Sequence, residues 1–164
     1  MRSAIGTLSR LLIVIAPLRK SDYDTTPSMS SEANRAALEP IPSFLAGRFR
    51  FVPTADRSVV ETIRCGVLFV MAFWSAPSFQ SFALLKKAIE ASDPEGRLEL
   101  VVVDADGCPD LHESPDFYGM CNGWGEAAWV CDGRVKQTSG VGYHPEVFEQ
   151  FTKELLDACG YQRN

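Results

Sequence analysis

The stretch from Gly66 to Lys87 constrains this chain most. Val67-Leu-Phe-Val-Met-Ala-Phe-Trp74 is a near-continuous apolar and aromatic run, followed by the corner Ser75-Ala-Pro-Ser78 and a segment of helical spacing, Phe79 to Glu90. Such a run predicts a strand buried on both faces, as at the centre of an α/β sheet. Ser75 stands where an N-cap belongs, and Pro77 falls in the first helical turn, where no N–H is needed. Phe82, Leu85 and Ile89 form the inward stripe, with Lys86, Lys87 and Glu90 turned outward.

Downstream, Ser92-Asp-Pro-Glu-Gly96 reads as a loop, and Leu98-Glu-Leu-Val-Val-Val103 as a second strand rich in β-branched residues. The two strands and the intervening helix make a parallel βαβ unit. Asp104 to Pro109 is a loop, and a short helix is expected over Asp110 to Tyr118, restricted by Pro115. The pattern then turns antiparallel. Glu126 to Cys131 and Arg134 to Thr138 flank Asp132-Gly133, a strong hairpin signal. His144-Pro145 opens a last helix whose apolar face is Val147, Phe148, Phe151, Leu155 and Leu156.

Upstream, Arg48 to Val52 predicts an edge strand stopped by Pro53, and Thr54 or Asp56 caps a helix to about Arg64. Cys65-Gly66 is expected to close that helix and turn into the central strand. Residues 1–42 differ from the rest. Leu11 to Ala16 is far too short to span a bilayer, which needs about 20 apolar residues. Arg10 interrupts what would be a signal-peptide core, and no clean cleavage site follows. Lys20 to Glu39 is polar and reads as a linker. Residues 1–28 are a leader, a targeting segment or an over-extended start before Met29. The expected division is a flexible segment over 1–42 and a folded domain over 43–160.

The 164 residues suffice for one domain that buries about two-thirds of the surface of its unfolded chain. A net charge of −5 argues against general nucleic-acid binding, which needs clustered Lys and Arg. Five cysteines, at 65, 108, 121, 131 and 159, include no C-x-x-C pair and cannot all pair within the chain. They read as reduced thiols of a cytoplasmic protein, with export as the alternative if residues 1–28 act as a signal. Cys108 and His112 have the spacing of two metal ligands on one helical turn, but no second pair accompanies them, so neither metal nor cofactor is expected.

The element order resembles the thioredoxin family over about Phe49 to Ala158. Besides the corner, Val103-Asp-Ala-Asp106, Pro109-Asp-Leu111, Tyr118-Gly119, the Asp132-Gly133 hairpin and Gly140-Val141-Gly142 carry the resemblance. It implies a three-layer α/β sandwich, a central mixed sheet of four to five strands flanked by helices. The family's Trp-Cys-Gly-Pro-Cys site aligns with Trp74-Ser75-Ala76-Pro77-Ser78. Its buried strand Asp aligns with Phe69, and its cis-proline with Trp124-Gly125-Glu126.

Those departures imply a degenerate, non-redox member, because serine forms neither the helix-activated thiolate nor a disulfide. No catalytic residue is assigned. Ser75 as a hydrolytic nucleophile would need His112 or His144, and the resemblance places neither beside it. What the resemblance leaves is a partner-binding rim of Trp74, Pro77, Trp124 and Gly125, with another protein as the partner. Gly123 and Gly125 either admit a partner's backbone or permit a tight loop. The alternative is an atypical thiol oxidoreductase or redox sensor using Cys108 or Cys121, for which Cys108 at a helix start predicts a lowered pKa.

Overall fold

The computed structural model describes residues 30–161, and the readings of residues 1–29 lie outside them. Helix α1 (Ser31–Ala37) comes first, then strand β1 (Phe49–Val52), a 3-10 turn (Arg57–Thr62), strand β2 (Cys65–Met71), helix α2 (Ala76–Ser92) and strand β3 (Glu99–Asp104). The five-residue α3 (Pro109–Glu113), strands β4 (Ala127–Cys131) and β5 (Arg134–Thr138), and helix α4 (Phe148–Ala158) complete the order. No helix among the described residues is long and apolar enough to cross a membrane.

The five strands form one mixed sheet in the order β1-β3-β2-β4-β5. β1, β3 and β2 run parallel, whereas β4 is antiparallel to β2 and β5 to β4. The most apolar strand is therefore the central one, buried at every position. Alternation along β2 supplies two cores. Val67, Phe69 and Met71 meet Phe82, Leu85 and Ile89 of α2 and Phe148, Leu155 and Leu156 of α4. On the other face, Leu68 and Val70 meet Val59, Val60 and Ile63, with Leu111, Phe117 and Met120. Helices cover both faces, giving the expected sandwich.

The local signals hold where the chain supplies its own partners. Asp56 accepts the Ser58 amide at 2.8 Å and caps the turn before β2. Asp132 and Gly133 both have positive φ, 48° and 70°, as a type I′ hairpin turn demands.

Four expectations change. Cys65-Gly66 belongs to β2 rather than to a closing turn. A Cβ on Gly66 would stand 2.6 Å from the Glu99 carbonyl oxygen, so glycine there serves the close approach of β3. The segment before β2 is a 3-10 turn instead of an α-helix. The helix expected over Asp110 to Tyr118 stops at Glu113, and Phe117 enters the core from a turn. Packing also begins before residue 42. Ser30 caps α1, Leu38 is buried in the core, and the Asn34 side-chain amide donates to Asp104 at 2.8 Å.

Candidate functional site at the corner after β2

The corner is held from three sides. Phe73 packs edge-on against Phe51 of β1 and Phe79 of α2, with ring centroids 5.7 and 6.1 Å apart. The Ser75 amide donates to the Ala72 carbonyl at 3.0 Å, forming the turn that leads into α2. Ser75 occupies the N-cap position, but its hydroxyl makes no capping bond and instead donates to the Gly123 carbonyl in the loop before β4. Ser78 is fully buried. Its oxygen accepts the Ala72 amide at 3.1 Å, and its hydroxyl points to the Met71 sulfur at 3.3 Å.

The two serines therefore lock the corner to surrounding groups. Neither histidine is hydrogen-bonded to Ser75: the His112 Nε2 faces the Ala105 carbonyl at 3.2 Å, and His144 lies against Glu146 and the Val141 carbonyl at 3.1 and 3.0 Å. The arrangement lacks the base that an attacking serine needs.

The loop before β4 supplies the other wall. Gly123 has φ +84°, and a Cβ there would lie 2.4 Å from the Trp74 Cη2, so the indole rests directly on its backbone. Gly125 has φ +76° and faces inward. Its carbonyl accepts the Ser81 hydroxyl at 2.8 Å, and a Cβ would meet Ser81 and Phe69 within 3 Å. Both glycines are buried and serve internal packing, which removes Gly125 from the expected exposed rim. Trp74 is 61% exposed and Trp124 45%, with Ala76 exposed and Pro77 half-buried beside them. Tyr118, 79% exposed, begins the same loop, and Gly119 next to it lies 3.5 Å from exposed Val141 when a Cβ is built on it.

Glu126 is a group that sequence reasoning passed over. Its side chain is fully buried, Oε1 accepts the Asn122 amide at 3.1 Å, and Oε2 has no partner. Burial pushes the carboxyl above the usual range, against the opposing pull of the Asn122 amide and other backbone N–H groups of the loop. Its own backbone carbonyl receives the Val70 amide at 2.9 Å, which ties the loop to the central strand. The signal in the sequence was a lone acid at the head of the apolar run Ala127 to Cys131.

Both thiols considered as a relocated redox site are raised, for Cys108 the opposite of the lowered pKa expected at a helix start. Cys108 precedes α3, but it is buried and its thiol is pushed up to about 11 by that burial. Cys121 is half-buried and pushed up to about 12, by burial first and then by the neighbouring Glu126. Among the described residues no group of three or more His, Cys, Asp or Glu is arranged to hold a metal ion, and Cys108 and His112 are not joined by further ligands.

No protein-family model matches the sequence, and no curated protein matches it. Solved structures do. The thioredoxin of Malassezia sympodialis superposes with a TM-score of 0.50 at 16% identity, over 65% of this chain and 89% of that one. The mitochondrial thioredoxin 3 of Saccharomyces cerevisiae, in its oxidised form, gives 0.48 at 20% identity over 68% and 99%. The reduced thioredoxin pre-protein of Schistosoma mansoni gives 0.49 at 18% over 66% and 98%. The fold is thioredoxin-like, and identities this low speak to fold alone.

Proposed function

We propose that this chain is a thioredoxin-fold protein without dithiol chemistry, which acts by holding another protein on the rim formed by Trp74, Pro77 and Trp124. One observation carries the reading. The Ser75 hydroxyl is spent on the Gly123 carbonyl, while two indoles beside it remain open to solvent. The corner thus presents apolar area and no free nucleophile. Exposed, rigid aromatic groups are frequent anchors of protein interfaces. Adaptor, assembly-chaperone and inhibitor roles use such a surface in the same way. The odd number of cysteines suits a reducing compartment, and a cytoplasmic location belongs to the same proposal.

An oxidoreductase working through Cys108 or Cys121 is the rival. The raised thiols weigh against it, since the thiolate is the reacting form and little of it exists at neutral pH.

Two measurements test the proposal together. Insulin disulfide reduction, with a thioredoxin as positive control, is expected to show no turnover. Recovery of partners on immobilised protein is then compared among the wild type, Trp74→Ala, Trp124→Ala and Leu84→Ala, the last an exposed apolar residue farther along α2. Each tryptophan variant should weaken a rim partner about tenfold or more, and Leu84→Ala should not. Insulin turnover, or equal recovery of every partner by all four proteins, would overturn the reading.

A further inference from the structure

Three of the five cysteines gather at the end of β2 farthest from the corner. Cys65 opens β2, Cys131 closes β4, and the antiparallel register sets them directly opposite one another. The Asp132 amide donates to the Arg64 carbonyl at 2.7 Å, one position beyond this pair. Hydrogen-bonded and open pairs alternate along an antiparallel ladder, so Cys65 and Cys131 form an open pair. There, Cα atoms stand about 4.5 Å apart and side chains come closest. Disulfides bridge Cα separations of about 4.4–6.8 Å. Both side chains lie on the face covered by α4. Cys159, at the C-cap of α4, descends onto the same place. Its sulfur lies 4.0 Å from the Arg64 carbonyl oxygen, and its side chain packs against the core cluster that contains Cys65 and Cys131.

One buried cysteine is usually a small hydrophobe. Three that meet, with one of them reaching solvent, are differently placed. Cys65 and Cys131 are buried, whereas Cys159 is half-buried. We propose that Cys65, Cys131 and Cys159 form an oxidisable thiol cluster, in which Cys159 is the entry point and its disulfide with Cys131 or Cys65 fastens the last helix to the central sheet.

The oxidant is a hydroperoxide. The Cys159 sulfur, on losing its proton, attacks the O–O bond; that bond breaks, and Cys159 becomes a sulfenic acid as the peroxide leaves as an alcohol, or as water from hydrogen peroxide. The second thiol then attacks the sulfenic sulfur, an S–S bond forms, and the oxygen departs as water. Two thiols lose two electrons and two protons, and the peroxide takes up both.

The cluster's environment sets the pace. Burial pushes the Cys65 thiol up to about 11, with the charges of Asp93 and Asp132 acting in the same direction. Cys159 is raised as well, by burial and then by contact with Cys131 and Cys65. Cys65 and the entry thiol Cys159 are thus held in the protonated form, so the disulfide forms under sustained oxidant and not in fast turnover. The seven residues of β2 separate this end from the corner by roughly 20 Å, and the inference is independent of the rim.

The test is peroxide treatment of the full chain, blocking of the remaining thiols, and mapping of peptides under non-reducing conditions. One disulfide containing Cys159 is expected, with Cys108 and Cys121 still free to be blocked. The melting temperature should rise on oxidation and fall back with dithiothreitol. Cys159→Ser should abolish both effects and Cys108→Ser neither. A first disulfide joining Cys108 to Cys121 or Cys65 to Cys131, a Cys159 oxidised to sulfinic acid without a bridge, or a Cys65–Cys131 bridge formed in Cys159→Ser would each overturn the proposal. Mapping of the wild type alone decides the first two outcomes, so they do not depend on a variant that folds.

Discussion

The Ser75 hydroxyl donates its hydrogen to the Gly123 carbonyl, joining the corner after β2 to the loop before β4 across 48 positions of sequence. Ser75 is nearly inaccessible and Gly123 is buried, so water cannot readily replace the donor. Ser75→Ala should therefore cost about 1–2 kcal/mol, the loss of a neutral hydrogen bond with its acceptor left unpaired. At this chain length that corresponds to a fall of roughly 3–6 °C in melting temperature. Denaturant unfolding of the two proteins measures it, and an unchanged midpoint would mean that the bond does not contribute in solution.

Gly123→Ala probes the other side of the same junction. The residue sits at φ +84°, where a side chain costs about 1–2 kcal/mol. The new methyl would also occupy the place of the Trp74 ring edge, 2.4 Å from Cη2. The indole must swing away, so fluorescence quenching by acrylamide should increase as stability falls. A loss of stability with unaltered quenching would show that the ring does not rest on Gly123.

What the sequence made legible follows the range of each interaction. β2, β3 and the Asp132-Gly133 hairpin were readable because burial, β-branching and turn stereochemistry act within a few residues. The resemblance then supplied a central mixed sheet of four to five strands flanked by helices, but not the strand order, which local pattern does not fix either. The corner was half legible. Ser75 has the right residue type for an N-cap, but its partner is Gly123, and no local rule weighs a cap against so distant a carbonyl. Gly66 looked like a helix terminator until β3 was laid beside it. Asn34 and Leu38 were hidden in a polar stretch because their partners lie in the folded sheet and core. Cys65, Cys131 and Cys159 are scattered in sequence and converge only through the β2–β4 register and the docking of α4.

Glu126 makes stability depend on pH in a definite direction. Its carboxyl is raised in the folded protein by burial. The protonated form is thus favoured by folding, and this contribution is fully present below the ordinary glutamate value, about 4.3. It is lost as pH rises through the higher folded value. Glu126→Gln keeps the acceptor for the Asn122 amide and removes the titration. Relative to the wild type, the glutamine protein should gain stability as pH rises from the ordinary glutamate value through the raised folded value, and the difference should level off above it. Unfolding free energies at several pH values test this, and a difference independent of pH, or one of opposite slope, would exclude Glu126 as the source.

Trp129 fixes how α4 sits on the sheet. It is fully buried on β4, with Phe148 and Phe151 of α4 at ring-centroid distances of 5.9 and 5.2 Å. Its indole N–H donates to the Thr152 hydroxyl at 3.1 Å, and that hydroxyl donates to the Phe148 carbonyl at 2.7 Å. Thr152→Val preserves shape but leaves the indole N–H without an acceptor in a dry place, a cost of about 1–3 kcal/mol. Thr152→Ser retains the hydroxyl and gives up one methyl, worth about 0.8 kcal/mol or somewhat more. The valine protein should therefore be the less stable of the two in urea unfolding. If valine were equal to or better than serine, apolar packing and not the Trp129–Thr152 bond would hold α4 in place. Because this contact lies on α4 and the sheet, well apart from Trp74 and Trp124, partner recovery at the rim should be unchanged in both variants.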